Sequence, residues 1–171
     1  MTEEELRHIV AALIGVAPSN RGSPRTLMRL IHRRRFPGAF FHILEPMLHN
    51  DLMYKCAIDI LGNLKEPPEC VSEAIEAAWD RSWTHGVPQA CDCAFPALLK
   101  LGGNDERLLS MIEKSLVVDN YGIHKLCAET LMQIEGGAKL LSNWSQTVRG
   151  QCQCHLHRKL AERISTFLSG R

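Results

Sequence analysis

Apolar residues recur every three to four positions through most of the chain, a spacing that predicts helices rather than strands. The clearest example runs from Asn120 to Gly137. Asn120 is placed to cap the start of this helix, and Gly136–Gly137 is placed to end it. Its predicted apolar face consists of Ile123, Leu126, Cys127, Thr130, Leu131 and Ile134.

The same periodicity predicts a chain of helices with short breaks and no strands. Thr2 and Glu5 fit a capping box at the first helix. Ser23 and Pro24 are placed to begin the second, which carries Leu30 inward and ends at Pro37–Gly38. Apart from this second helix, the predicted helices span residues 3–15, 38–48, 51–64, 69–81, 88–101, 105–118, 120–135, 138–149 and about 151–168.

One motif recurs in every second helix: a starting residue followed by apolar residues four and seven positions later. Its four copies begin 37, 33 and 30 residues apart. A period in the thirties with two helices per unit is typical of an α-solenoid. The copies are Ala57-Leu61-Leu64, Ala94-Leu98-Leu101, Cys127-Leu131-Ile134 and His157-Ala161-Ile164.

On this motif, residues 37–171 resemble HEAT repeats, preceded by an atypical helix pair at 1–36. The resemblance implies an all-α, right-handed α-solenoid of about five antiparallel helix pairs, forming a single domain over 1–171. Tetratricopeptide repeats fit less well because the intervals drift and the aromatic and glycine signature of that family is missing. A compact helical bundle is the remaining alternative.

Composition agrees with a soluble globular protein of 171 residues, with 45% hydrophobic and 23% charged residues. Seven cysteines, an odd number lying mostly within apolar helical patterns, favour buried thiols in a reducing compartment. The acidic N-terminus does not resemble a signal peptide, and no apolar stretch is long enough to span a bilayer. We therefore expect a cytoplasmic protein that does not act at a membrane.

An acidic stripe marks the helix predicted at 69–81. Its carboxylates follow one another at helical spacing, so they share a face, and an aromatic residue follows the helix. Such a face is either an ordinary solvated surface or a docking site for a basic protein partner. Its members are Glu69, Glu73, Glu76, Asp80 and Trp83.

A basic stripe precedes it: six arginines and no acids occur over residues 21–35. Arg25, Arg29 and Arg33 fall on one helix face, where they either pair with neighbouring acids or neutralise the phosphates of a nucleic acid. This gives the alternative function, a nucleic-acid-binding HEAT-like protein.

A third candidate surface is a ridge along the second helices, whose mixed charges favour a protein partner over a phosphate backbone. The ridge is predicted to expose Lys55, Asp59, Asp92, His124, Lys125 and Glu129.

A cysteine and histidine cluster occurs near the C-terminus. Cys152, Cys154, His155 and His157 are zinc or copper ligand types, but on a helix they point in four directions and cannot meet at one ion. Cys152 with His155, or Cys154 with His157, could pair across one turn, but each pair would need further ligands from elsewhere, so we expect no cofactor and keep the cluster only as a weak metal-site candidate.

No phosphate-binding loop and no hydrolase or metalloprotease motif is present. The sequence thus favours a non-catalytic protein-binding module. An adaptor, a scaffold or a bacterial immunity protein that occludes a toxin would take this form.

Overall fold

Helices make up nearly all the regular structure, which confirms the all-α class. The computed structural model describes residues 1–15, 28–32, 34–102, 105–151 and 154–170. The chain divides into two compact units, Met1–Gly103 and Asn104–Arg171. The single solenoid domain over 1–171 stays a prediction.

The first unit begins with α1, where Thr2 and Glu5 form the predicted capping box. Residues 28–31 are helical, and Ile31 is fully buried. Leu30 was predicted to point inward, but it is 45% exposed. The elements in chain order are α1 (Glu3–Ile14), a 3-10 turn (Gly38–Phe40), α2 (Phe41–Leu44), a second 3-10 turn (Glu45–His49), α3 (Tyr54–Leu61), α4 (Cys70–Arg81), β1 (Trp83–Thr84), β2 (Val87–Pro88) and α5 (Cys91–Leu101).

The predicted helix at 38–48 is in fact three short pieces. Pro46 lies at the start of the second 3-10 turn. Proline has no amide hydrogen, and its ring opposes the carbonyl four residues earlier, so the α-helical ladder ends at Leu44. Apolar periodicity persists across this break, which is why the pattern predicted one continuous helix.

A two-stranded hairpin corrects the prediction that the chain contains no strand. Trp83 pairs with Pro88, and Thr84 with Val87. The connecting residues, His85 and Gly86, both have positive φ, at 51° and 75°. Positive φ at both central positions is typical of a tight hairpin turn. Strands this short lie below the length at which alternation is visible.

In the first unit, α3 packs side by side with α5, and α4 contacts both helices. Lys55 Nζ lies 3.3 Å from Asp92 Oδ1, and Lys100 Nζ donates to Asn63 Oδ1 at 3.1 Å. The residues of each pair are 37 positions apart, which equals the first predicted repeat interval. The core beneath these contacts includes Ala57, Ile58, Leu61, Ile75, Trp79, Ala94 and Phe95.

The described residues of the second unit form four helices: α6 (Asp105–Leu116), α7 (Tyr121–Leu131), α8 (Gly137–Gln151) and α9 (His155–Ser169). The long helices α8 and α9 pack along each other, and α7 contacts all three of the others. Asn120 Oδ1 accepts from the amide of Ile123 at 3.1 Å, as predicted for the cap of α7. Gly136 has φ +77°, which is the left-handed conformation predicted for the break after α7.

Candidate functional site

The acidic stripe lies on the outward face of α4 in the first unit. At 100° per residue, its four carboxylates fall within an arc of about 60°. Glu69, Glu73 and Asp80 are exposed, and Glu76 is partly buried. The buried side of the helix, which includes Ile75, points elsewhere. The structure therefore brings these four acids together on one solvent-facing surface.

Trp83 follows this surface and is held by aromatic packing. Its ring meets the ring of Trp79 edge to face, with centroids 5.6 Å apart and planes at 80°. Trp79 is itself fully buried, and its indole N–H donates to Cys91 Sγ at 3.3 Å. Trp83 remains partly exposed. It is thus a half-buried aromatic side chain that packs against a buried ring.

A cleft of about 430 Å³ lies in the same unit, on another side of α4. Its polar lining includes Asp51, Tyr54, Arg81 and Thr84. Burial raises the pKa of Tyr54 above its usual range. The phenol therefore stays protonated at neutral pH and can serve as a hydrogen-bond donor.

The ridge residues of the first unit contact other charged or ionisable side chains. Lys55 pairs with Asp92 across α3 and α5, and both side chains remain partly exposed. Asp59 lies 3.5 Å from the imidazole of His32. A partner that binds this ridge has to compete with these internal contacts.

In the second unit, the ridge prediction is wrong for the orientation of His124. Lys125 and Glu129 are partly exposed and lie 3.7 Å apart on α7. His124, however, is only 6% exposed, because α7 turns this side towards α9.

His124 instead forms a buried pair with His157, which is 5% exposed. His124 Nδ1 lies 2.9 Å from His157 Nε2, and His124 Nε2 lies 3.2 Å from the carbonyl oxygen of Leu116. Because the carbonyl can only accept, His124 carries its hydrogen on Nε2. In the neutral pair, the Nε2–H of His157 therefore donates to His124 Nδ1.

Burial lowers the pKa of His124, and the nearby imidazole of His157 lowers it further. The neutral tautomer described above is thus the form favoured at neutral pH. Two other rings complete the cluster: Trp144 lies 5.2 Å from His124 and Tyr121 lies 5.6 Å from His157, measured between ring centroids.

A pocket of about 300 Å³ opens beside this cluster. It is formed by the end of α6 and the following connection, together with one side of α7, α8 and α9. Val117 at this connection is 84% exposed. Sequence reasoning missed the pocket, because its walls come from four separate segments. The lining residues are Leu116, Val117, Val118, Asp119, His124, Trp144, Thr147, Val148 and His157.

The C-terminal cysteine and histidine cluster is dispersed. Cys154 and His155 are exposed, whereas His157 is buried against His124; Cys152 lies outside the described residues. Within the described ranges, no three His, Cys, Asp or Glu side chains are grouped so that they could hold a metal ion.

Two thiols of the first unit, the half-buried Cys56 and the buried Cys93, are held in the protonated form by desolvation. Burial raises the pKa of Cys56 and of Cys93 to about 12 in each case. The thiolate is the nucleophilic form of cysteine, and these two side chains hold almost none of it.

Of the predicted basic stripe, Arg29 is exposed, while Arg25 and Arg33 lie outside the described residues. The nucleic-acid alternative therefore stays a prediction. In the part of the chain that the structure describes, no helix is both long and apolar enough to cross a membrane.

Comparison with known protein families, curated proteins and solved structures found no match to this chain.

Proposed function

We propose that the protein is a non-catalytic protein-binding module that engages a basic partner through α4 and Trp83. This proposal rests on the exposed acidic side chains of α4 and its start, together with Trp83, whose ring packs against that of Trp79. The acidic side chains are those of Glu69, Glu73 and Asp80. Binding energy at protein interfaces concentrates on rigid aromatic anchors, and complementary charge gives specificity and speed of encounter.

The clustering of these acids supports a binding role rather than a structural one. Like charges three and four residues apart on a helix destabilise it by a few tenths of a kcal/mol per pair. Charge complementarity with a basic protein would add attraction at this face. An adaptor, or an immunity-type protein that covers the basic active surface of a nuclease toxin, would need such an acidic surface.

We also propose that the helices stack as a HEAT-like α-solenoid. The pairing of α3 with α5 at an interval of 37 residues supports this arrangement within the first unit. In the second unit, α7 lies beside α9 in the same manner. A solenoid presents extended surfaces for partner binding, which fits the proposed function.

The test is charge reversal by Glu69→Lys with Glu73→Lys. The wild-type protein is used as bait in extracts of its source cells. A captured protein is then purified, and its Kd is measured at low and high salt. We expect the double variant to weaken binding by more than about a hundredfold, because opposed like charges cost several kcal/mol.

The matched control is Glu113→Lys with Glu162→Lys, which makes the same change in charge at exposed positions of the second unit. This control should bind as the wild type does, and all variants should keep the same circular dichroism. Binding that is insensitive to reversal at α4, or equally sensitive to the control, would remove the acidic face from the interface.

A further inference from the structure

The pocket of the second unit has the size and walls of a small-molecule site. A cavity of about 150 Å³ with apolar walls is enough for benzene. At about 300 Å³, this pocket has room for a ring or short alkyl body with a polar substituent. Its walls are mainly aliphatic, from Leu116, Val118 and Val148, and Trp144 adds an aromatic surface.

The charges of the residues that line the pocket determine which ligands of that size it favours. Among the described residues that form the pocket, Asp119 supplies an exposed carboxylate, and none is Lys or Arg. An indole ring attracts a cation through its electron-rich face. Carboxylate and indole thus both favour a positively charged group, whereas an anion would meet no Lys or Arg among the described lining residues.

The histidine pair gives the pocket a fixed polar wall. Both ring nitrogens of His124 are engaged, one by His157 and one by the Leu116 carbonyl. The hydroxyl of Thr147 donates to the carbonyl oxygen of Asn143 at 3.1 Å, so its oxygen can still accept a hydrogen bond. Groups held by such contacts need little rearrangement when a ligand enters, which reduces the cost of binding.

We propose that this pocket binds a small organic cation with an apolar body, such as an alkylammonium or arylalkylammonium ion. The apolar body lies between the aliphatic walls and covers Val117. The ammonium group lies near Asp119 and the ring of Trp144, and one of its hydrogens reaches the Thr147 oxygen. This site is separate from the protein-binding face on α4 and does not depend on it.

The experiment is an NMR titration of the full chain with three probes of nearly equal shape: benzylammonium, benzyl alcohol and benzoate. We expect benzylammonium to shift the Val117, Val148 and Trp144 side-chain resonances. It should bind about tenfold more tightly than benzyl alcohol, which corresponds to the attraction of one cation by an aromatic ring. Benzoate should be the weakest probe.

Two variants test the source of the selectivity. Asp119→Asn should reduce the preference for benzylammonium over benzyl alcohol, while Glu113→Gln, an equal charge change on exposed α6, should leave the preference unchanged. Both replaced side chains are exposed, so neither variant removes a core contact.

Three outcomes would overturn the proposal. One is the absence of side-chain shifts at the pocket with benzylammonium up to about 10 mM, a concentration at which even weak sites fill. Another is equal affinity for the cation, the alcohol and the anion. The third is tighter binding of N-acetyl-lysine methylamide than of benzylammonium, which would reassign the pocket to a lysine side chain of a protein.

Discussion

The close approach of α3 and α5 in the first unit can be tested with a single methyl group. Gly62 directly follows α3 and lies against Ala97 of α5. A Cβ atom added at Gly62 would be 2.5 Å from Cβ and 2.7 Å from Cα of Ala97. Nonbonded carbon atoms are most stable about 3.5–4.0 Å apart, so the two segments would have to separate by about 1 Å. No side-chain rotation can relieve the clash, because both obstructing atoms are fixed to the backbone.

We expect Gly62→Ala to lower the free energy of unfolding by about 1–3 kcal/mol, the usual cost of overpacking. Gly62 has φ −66°, which alanine adopts without strain. Alanine would by itself stabilise such a position by about 0.4–1 kcal/mol through the unfolded chain. A lower free energy of unfolding for Gly62→Ala would therefore show that the clash exists, and a higher one would show that it does not. The assay is urea unfolding of the full chain followed by circular dichroism.

Ala97→Gly supplies a partial complementary test, because it removes Cβ, one of the two Ala97 atoms that the added methyl group would meet, and leaves Cα. In a double-mutant cycle, the two substitutions together should destabilise less than the sum of their separate effects, by at least about 0.5 kcal/mol. Gly170→Ala is the control, since its added Cβ would lie 3.7 Å from the nearest atom. Full stability of Gly62→Ala, or strict additivity in the cycle, would refute the close pairing of α3 with α5.

The ion pair and the histidine pair lead to two further predictions. A double-mutant cycle with Lys55→Ala and Asp92→Ala should give a coupling energy of about 0.2–1 kcal/mol that shrinks in high salt; no coupling at low salt would argue against this pair. Because the folded state lowers the pKa of His124, the free energy of unfolding should fall as the pH drops below about 6.5, where the unfolded chain takes up the proton first. His124→Gln should flatten this slope between pH 7.5 and 5 in urea-unfolding curves, and an unchanged slope would contradict the assignment.

The helices and their ends were largely predictable because local chemistry decides them. The capping box at Thr2, the Asn120 cap and the left-handed glycine at Gly136 each depend on neighbours within a few residues. The interval of 37 residues also predicted which helices pair in the first unit. Apolar spacing and capping are properties of a segment, so one sequence is sufficient to reveal them.

The hairpin and the pocket depend on contacts that apolar periodicity does not encode. Trp83 could be placed after the acidic helix, but its edge-to-face contact with Trp79 and the turn at His85–Gly86 leave no mark on the apolar pattern. Likewise, the pocket joins Val117 and Trp144, which belong to different helical pairs of the sequence pattern. Such sites arise from side-chain packing between elements, and the periodicity of apolar residues carries no information about that packing.

The histidine pair joins α7 and α9 through a polar contact that apolar spacing did not predict. Apolar spacing aligned His157 with Cys127, 30 residues earlier, and both are buried, but the imidazole of His157 lies beside that of His124, 33 residues earlier. A shift of three residues is close to one helical turn and preserves most apolar positions, so apolar spacing distinguishes poorly between these two neighbours. An unpaired buried polar group, in contrast, costs about 1–3 kcal/mol. The packing that gives each imidazole a hydrogen-bond partner is therefore favoured, and the spacing of rare polar residues within apolar helices is the better guide to it.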